Sequence, residues 1–185
     1  MKINKKTIAI IGGVVLTFIL LFAYVNFNKE TPIVGKILSI VGLVEAKKAG
    51  SDKMTKVFAN MAFTQGDTIL TGSDGLAELM LDEDKEVTIS SNTHLEFTEL
   101  VTSIDAAEGK SLLNLFEGKV KVKITEKLKG DSRFQIETPN AIMGVMGTEF
   151  YVYTDENGTW VGVIEGEVEV TTQDGERITL VPGNK

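Results

Sequence analysis

Few side chains in this sequence could support nucleophilic or transition-metal chemistry. His94 is the only histidine, and the absence of cysteine excludes disulfide bonds, thiol catalysis and thiolate metal ligands. Ser90, Ser91 and Thr93 lie near His94, where a hydroxyl could meet a base. Consecutive strand residues point to opposite faces, however, so nearness in sequence does not make a catalytic pair. We predict no catalytic residues, no transition-metal site and no cofactor.

Carboxylates are the remaining groups that could do chemistry. Asp82, Glu83, Asp84 and Glu86 form the densest acidic cluster, and carboxylate oxygens can bind Ca²⁺. The cluster lacks the spacing of a calcium-binding hand, and an exposed turn between strands accounts for it. We therefore predict no metal site. Two acids could still converge for glycoside hydrolysis, so an enzyme with acids of shifted pKa in a cleft is the third hypothesis for function.

The charge is unevenly divided along the chain. The formal net charge is −7 over 185 residues, but residues 31–185 hold 15 basic and 25 acidic residues, which is near −10. Nucleic-acid binding requires Lys and Arg to neutralise phosphates, so we predict no nucleic-acid partner. An anionic lipid surface would repel such a domain, so attachment to a membrane requires an anchor.

An uncharged apolar run at residues 7–27 supplies that anchor. About 20 residues of helix span the hydrocarbon core of a bilayer. Lys2, Lys5 and Lys6 precede the run, whereas Lys29 and Glu30 follow it and cancel, so the positive-inside rule places residues 1–6 in the cytoplasm. A cleaved signal peptide is the alternative, but its apolar region is usually shorter and ends at a small-residue cleavage site. We predict a single-pass protein of the inner or plasma membrane, with its C-terminal domain in the periplasm or outside the cell.

The remainder of the chain has the alternation of β-strands. A short linker at 28–36 is followed by apolar residues with period two, as in Ile37-Ser39-Val41, Val120-Val122-Ile124 and Val168-Val170. Turn signals such as Asn157-Gly158 and Asp174-Gly175 separate the runs. This pattern predicts one mainly β domain over 37–185, built as a compact sandwich, a roll or a short β-helix.

Three of these strands begin with a similar short sequence pattern. Gly42, Gly118 and Gly166 each begin a strand whose alternate positions are apolar and charged. The intervals between them are unequal, so a regular solenoid is not predicted.

An ordered set of short motifs extends over most of residues 35–183. It consists of Gly66, Asp67, Thr71, Gly72, Asp74, Gly75, Gly118, Thr138, Pro139, Gly144, Gly147, Thr148, Phe150 and Gly166. The order of these motifs resembles the FecR domain family, named for the ferric-citrate regulator, and the resemblance is strongest in the block from Phe134 to Phe150. The resemblance implies an extracytoplasmic regulatory domain.

The sequence departs from the family pattern at three places. Met146 stands where the family usually has Arg, so any ion pair of that Arg is absent, and Ser91 replaces a Pro in a turn. FecR regulators also carry a cytoplasmic segment that handles a sigma factor, whereas only residues 1–6 precede the membrane run. We therefore expect the outer domain without the sigma-regulating activity.

The motif residues have a structural interpretation that does not depend on the family. Gly144 and Gly147 allow positive φ or close backbone approach, and Pro139 fits a turn or the start of a strand. Phe150 and Ile164 would supply bulk to the core. No phosphate-binding helix pattern precedes the Gly-x-x-Gly, so a nucleotide loop is not predicted.

Three hypotheses for function follow. The first is a membrane-tethered binding or regulatory module that recognises another envelope protein. The second is a structural or carbohydrate-associated envelope domain, which would require exposed aromatic rings around Tyr151, Tyr153 and Trp160. The third is the enzyme described above. A small-molecule ligand is left open.

Overall fold

The computed structural model describes residue 17, residues 30–103 and residues 108–183. Over 30–103 and 108–183 the chain is mainly strand and contains no α-helix, which confirms the predicted β class. The strands are β1 (Glu30–Pro32), β2 (Gly35–Val41), β3 (Val44–Lys47), β4 (Met54–Lys56), β5 (Ala62–Phe63), β6 (Thr68–Thr71), β7 (Leu76–Leu81), β8 (Lys85–Ile89), β9 (His94–Ser103), β10 (Gly109–Ile124), β11 (Arg133–Glu137), β12 (Ala141–Val145), β13 (Glu149–Asp155), β14 (Gly158–Glu165), β15 (Val168–Thr172) and β16 (Arg177–Leu180).

The predicted cytoplasmic residues 1–6 and the predicted membrane helix at 7–27 lie outside the described residues, apart from residue 17. In the described part of the chain no helix has the length and apolar character that a membrane span needs.

Part of the predicted linker at 28–36 belongs to the β structure instead. Strand β1 pairs with β9 through Thr31 and Thr102, and β2 already begins at Gly35. Between them, Ile33 is buried and its N–H donates to the Leu100 carbonyl at 2.9 Å. Pro32 is compatible with β1, because on an edge strand its missing N–H costs nothing.

The strands form two sheets that share β10. The large sheet has the order β4-β3-β6-β9-β10-β11-β12-β15-β16, with β1 also on β9, and the small sheet has the order β5-β2-β7-β8-β10-β13-β14. Residues 109–117 of β10 lie in the large sheet and residues 118–124 in the small sheet. Among the described strands only β10 and β11 pair in parallel, so stacked parallel coils of a β-helix do not form there.

A single hydrophobic core lies between the two sheets. Phe63 of the small sheet and Phe97 of the large sheet meet across it, with ring centroids 4.4 Å apart. Val120 and Val122 point into this core while Lys119 and Lys121 face outward, as the alternation predicted. Burial of such side chains contributes about 1.5–3 kcal/mol each and holds the sheets face to face.

Two predictions of which side chains face the core are wrong, and a β-bulge accounts for the one in β2. The register of β2 against β7 shifts between Ile37 and Ser39, so Ile40 packs on the core and Val41 is 61% exposed. On β14, Glu165 pairs with Glu149 but Val163 pairs with Phe150, which leaves Ile164 as the extra residue. Ile164 is 47% exposed, so its predicted core role is wrong. An inserted residue reverses the faces of the residues that follow it.

Candidate binding surface

Three glycines lie at points at which the chain crosses from one sheet to the other. Gly42 lies between β2 and β3, Gly118 within β10, and Gly166 between β14 and β15. Their φ angles are +64°, +98° and +83°. A Cβ at these positions would lie 2.2 Å from the Asp74 carbonyl oxygen, 2.3 Å from Thr93 Oγ1 and 2.8 Å from the Gly147 carbonyl oxygen, respectively. The sequence pattern that these three glycines share therefore marks sheet crossings that accept only glycine.

A polar side chain on an opposing turn holds the residue after each of these glycines. Leu43 N–H donates to Asp74 Oδ1 at 3.1 Å, and Lys119 N–H donates to Thr93 Oγ1 at 3.0 Å. At the third crossing, Thr148 Oγ1 donates to the Glu167 carbonyl at 3.0 Å. These bonds fix the direction in which each strand enters its second sheet.

Thr71 and its neighbouring glycines connect two of these turns. Thr71 Oγ1 donates to the Ser90 carbonyl at 2.6 Å and accepts from Thr93 N–H at 2.9 Å. Gly75 packs where a Cβ would lie 2.4 Å from the Leu43 carbonyl oxygen. Gly72 N–H donates to that same Leu43 carbonyl at 2.9 Å.

Asp67 is a buried carboxylate with three donors. Its oxygens accept from Thr64 N–H at 3.0 Å, from Ala49 N–H at 2.9 Å and from Lys48 Nζ at 2.6 Å. The adjacent Gly66 takes φ +83° and donates its N–H to Phe97. Charge-assisted bonds of this kind bind the loop after β3 to the turn before β6.

The block from Thr138 to Phe150 contains one turn, one crossing between the sheets and one motif glycine, Gly144, that no local geometry requires. Thr138 Oγ1 accepts from Ala141 N–H at 3.1 Å across the turn that holds Pro139, and it contacts Thr159 Oγ1 at 2.9 Å. Gly147 has φ +125° and Phe150 is fully buried. Gly144 has neither a positive φ nor any atom within 4 Å of a Cβ, so its predicted constraint is wrong.

The motif residues thus lie at several turns and crossings and are not gathered into one cleft. Met146, at the position of the family Arg, is 55% exposed beside the Gly147 crossing. This distribution supports a structural role for the motif and directs attention to other surfaces for binding.

Three aromatic rings form an exposed face on the small sheet, as the carbohydrate hypothesis required. Tyr151 and Tyr153 are each 38% exposed and Trp160 is 48% exposed. The Tyr153 and Trp160 rings are 5.3 Å apart, and Lys119 Nζ lies 4.8 Å from the Tyr151 centroid. The hydrogen bond that Tyr153 Oη donates to Asp155 raises the pKa of the phenol.

A groove runs along the outer edge of β14. We call it the edge groove; it has a volume of about 610 Å³ and is lined by Val161, Gly162, Val170, Ile178 and Leu180 among others. None of the described residues that line it is charged. Sequence reasoning missed this surface because Ile178 and Leu180 have the alternation of core residues, and nothing in the sequence signals that a core face lacks its cover.

Lys85 and His94, two titratable groups with shifted pKa values, lie apart from this surface. Burial alone would lower the pKa of Lys85, but hydrogen bonds to Asp84 at 2.7 Å and Asp82 at 3.0 Å raise it. Burial lowers the pKa of His94. Among the described residues no group of three or more His, Asp or Glu is placed to hold a metal, and Asp82 and Asp84 of the acidic cluster bind Lys85.

Comparison with known proteins gives a family and a fold. The profile of the family described as FecR protein matches residues 67–169. A 1.65 Å crystal structure of a candidate anti-sigma factor from Parabacteroides distasonis shares 20% identity over 62% of this chain and 51% of its own, with a TM-score of 0.52. A 2.50 Å structure under the same description shares 18% identity over 61% and 49% of the two chains, with a TM-score of 0.48. No curated protein matches the chain significantly.

The solved structures support a statement about the fold alone, and they match only part of their own length. At 20% identity, the likeness to the 1.65 Å structure shows a shared fold and no more. The chain spans about half the length of the solved chains that it matches.

Proposed function

Because this chain belongs to the FecR protein family, we propose that it is a membrane-tethered regulatory module that binds another protein of the cell envelope. The observation that carries the proposal is that the family-motif residues and the exposed apolar edge of β14 are different parts of the domain. The motif side chains build turns and crossings, whereas the apolar edge of β14 is left open to solvent. The description of the solved relatives as candidate anti-sigma factors agrees with regulation by protein contact. The role is non-enzymatic.

The proposed location follows from the sequence. Residues 7–27 anchor the chain, residues 1–6 stay in the cytoplasm, and the β domain lies in the periplasm or outside the cell. Protease treatment of spheroplasts tests this topology. Digestion of the β domain is expected, and protection of residues 31–185 in intact spheroplasts contradicts the proposal.

Photo-crosslinking in intact cells tests the protein partner. A photoreactive amino acid replaces Phe58, Ile142, Trp160 or Ile178 of the full chain, one exposed position at a time. We expect a discrete adduct with one envelope protein from at least one position. Recovery of lipid or glycan alone from every position would overturn a protein-binding role.

The exposed face of Tyr151, Tyr153 and Trp160 favours a second candidate, a carbohydrate-associated envelope domain. Flat aromatic rings with polar neighbours can stack on sugar rings. The single tryptophan permits a fluorescence titration of the full chain with soluble envelope glycans. Under this candidate, Tyr153→Ala weakens binding about 2–10-fold. Phe58 is an aromatic residue on another part of the surface and is 62% exposed, so Phe58→Ala serves as the control and leaves binding unchanged.

A further inference from the structure

Strand β14 is an unprotected sheet edge. It pairs only with β13 among the described strands, and the run Thr159–Ile164 contains no charge and no proline. Natural proteins usually guard sheet edges by shortness, Lys, Pro or other charges. The other edges follow this rule, since β5 has two residues, β4 has three and ends at Lys56, and β16 has four and begins at Arg177. Strand β14 has eight residues, and its charged residue Glu165 and its bulge lie together at one end, which leaves Thr159–Val163 unguarded.

Beside this edge the large sheet extends beyond the small one. Ile178 of β16 lies directly opposite Val170 of β15, so the two side chains share a face. Val170 is 8% exposed and belongs to the core, whereas Ile178 is 41% exposed. This face of the large sheet is therefore buried like a core face up to Val170, but at Ile178 no described strand of the small sheet covers it. The edge groove occupies the place where a further strand of the small sheet would lie.

We propose that β14 receives an extended segment of another protein as an added strand, whose alternate apolar side chains fill the edge groove over Ile178. The inference rests on the proposed function and names its surface and partner chemistry. Free N–H and C=O groups of β14 pair with the segment, and every second side chain of the segment points into the groove. Because the lining is uncharged, the groove selects apolar side chains and disfavours charged ones.

A second copy of this chain fits the surface poorly. If two β14 strands paired edge to edge, each copy's overhanging β16 would occupy the space that the partner's large sheet needs. Each copy would also bring a domain with a net charge near −10 over residues 31–185. A single strand from a different protein meets neither obstacle.

Hydrogen exchange on the full chain in detergent micelles tests the proposal. The probe is a peptide of roughly eight residues in which valine and threonine alternate, with a soluble lysine tail. We expect slower amide exchange in fragments that contain β14, and no effect from a peptide of the same composition whose valines are consecutive. Ile178→Lys should weaken the protection about tenfold or more, because an ammonium group would enter the apolar groove.

The matched control is Ile142→Lys. Ile142 is 39% exposed, close to the value for Ile178, but it lies on the outer face of β12 between buried Ala141 and Met143. Its replacement should leave the protection of β14 unchanged, and it shows whether a new lysine by itself disturbs the fold.

Three results would overturn the added strand. They are no protection of β14 at about 1 mM peptide, equal protection in Ile178→Lys, and concentration-dependent protection without peptide accompanied by a dimer mass. The proposed function would survive any of them if photo-crosslinking captures an envelope protein at another face. Failure of crosslinking at every position would remove the function itself.

Discussion

Gly118 is the point at which β10 leaves the large sheet for the small one, so Gly118→Ala tests whether the crossings hold the fold. Its φ is +98°, where side chains with a Cβ are strained. The added Cβ would lie 2.3 Å from Thr93 Oγ1 and 2.5 Å from both the Asn92 carbonyl oxygen and Thr93 Cα. Two of these three atoms belong to the main chain, so a change of rotamer cannot relieve the overlap.

The expected cost can be worked out from these contacts. A residue held in a sparsely populated backbone region costs about 1–3 kcal/mol. Moving the turn away would also break the bond from Lys119 N–H to Thr93 Oγ1, worth about 1 kcal/mol. We expect a loss of about 3 kcal/mol, which lowers Tm by roughly 6–12 °C in a domain of this size.

Gly144→Ala is the matched control, because this glycine has an ordinary φ and no atom within 4 Å of the added Cβ. Its effect should be a gain of about 0.4–1 kcal/mol. Both variants are unfolded in urea as full chains in micelles and followed by far-ultraviolet circular dichroism. Equal midpoints for the two variants would refute the view that the crossings demand glycine.

Three further predictions concern ionisable groups. Asp67→Asn should lower stability by about 1–3 kcal/mol in urea unfolding, because an amide cannot accept from all three donors, while Lys48→Met, which removes only the half-exposed partner, should cost less than about 1 kcal/mol. Because the pKa of Lys85 is raised in the folded state, its charge stabilises the fold at pH values below the ordinary pKa of 10.5, and this stabilisation is lost as pH rises through the higher folded pKa. Above pH 10.5 the urea midpoint should therefore fall more steeply in the wild type than in Lys85→Met. The lowered pKa of His94 predicts that stability falls as pH drops below 6.5, and His94→Gln should lack that component. Identical pH profiles for a variant and the wild type would contradict the assignment to that residue, Lys85 or His94.

Alternation and turn residues in the sequence were sufficient to predict the β class and the buried face of several strands. In the run Val120-Val122-Ile124 each apolar side chain points inward, as predicted, because a strand has an exact period of two. The same rule failed at Val41, because the bulge in β2 precedes it. A bulge depends on how a partner strand is aligned, which no local pattern records.

The candidate site shows the same division. The carbohydrate hypothesis required Tyr151, Tyr153 and Trp160 to be exposed, and the three rings are exposed. The edge groove was not predicted. Val170 and Ile178 have the same apolar character and the same face, and only the extent of the opposite sheet makes one buried and the other exposed.

The sequence by itself determined the β class of the domain, the acidic balance of residues 31–185 and the family motifs, because composition, period and glycine spacing are local properties of the chain. Only the tertiary structure decided that Gly42, Gly118 and Gly166 are crossings between two sheets and that β14 borders an uncovered face. These features depend on which distant strands lie side by side. That arrangement arises when the two sheets pack around a common core, where each residue's exposure is set by neighbours far away in the chain.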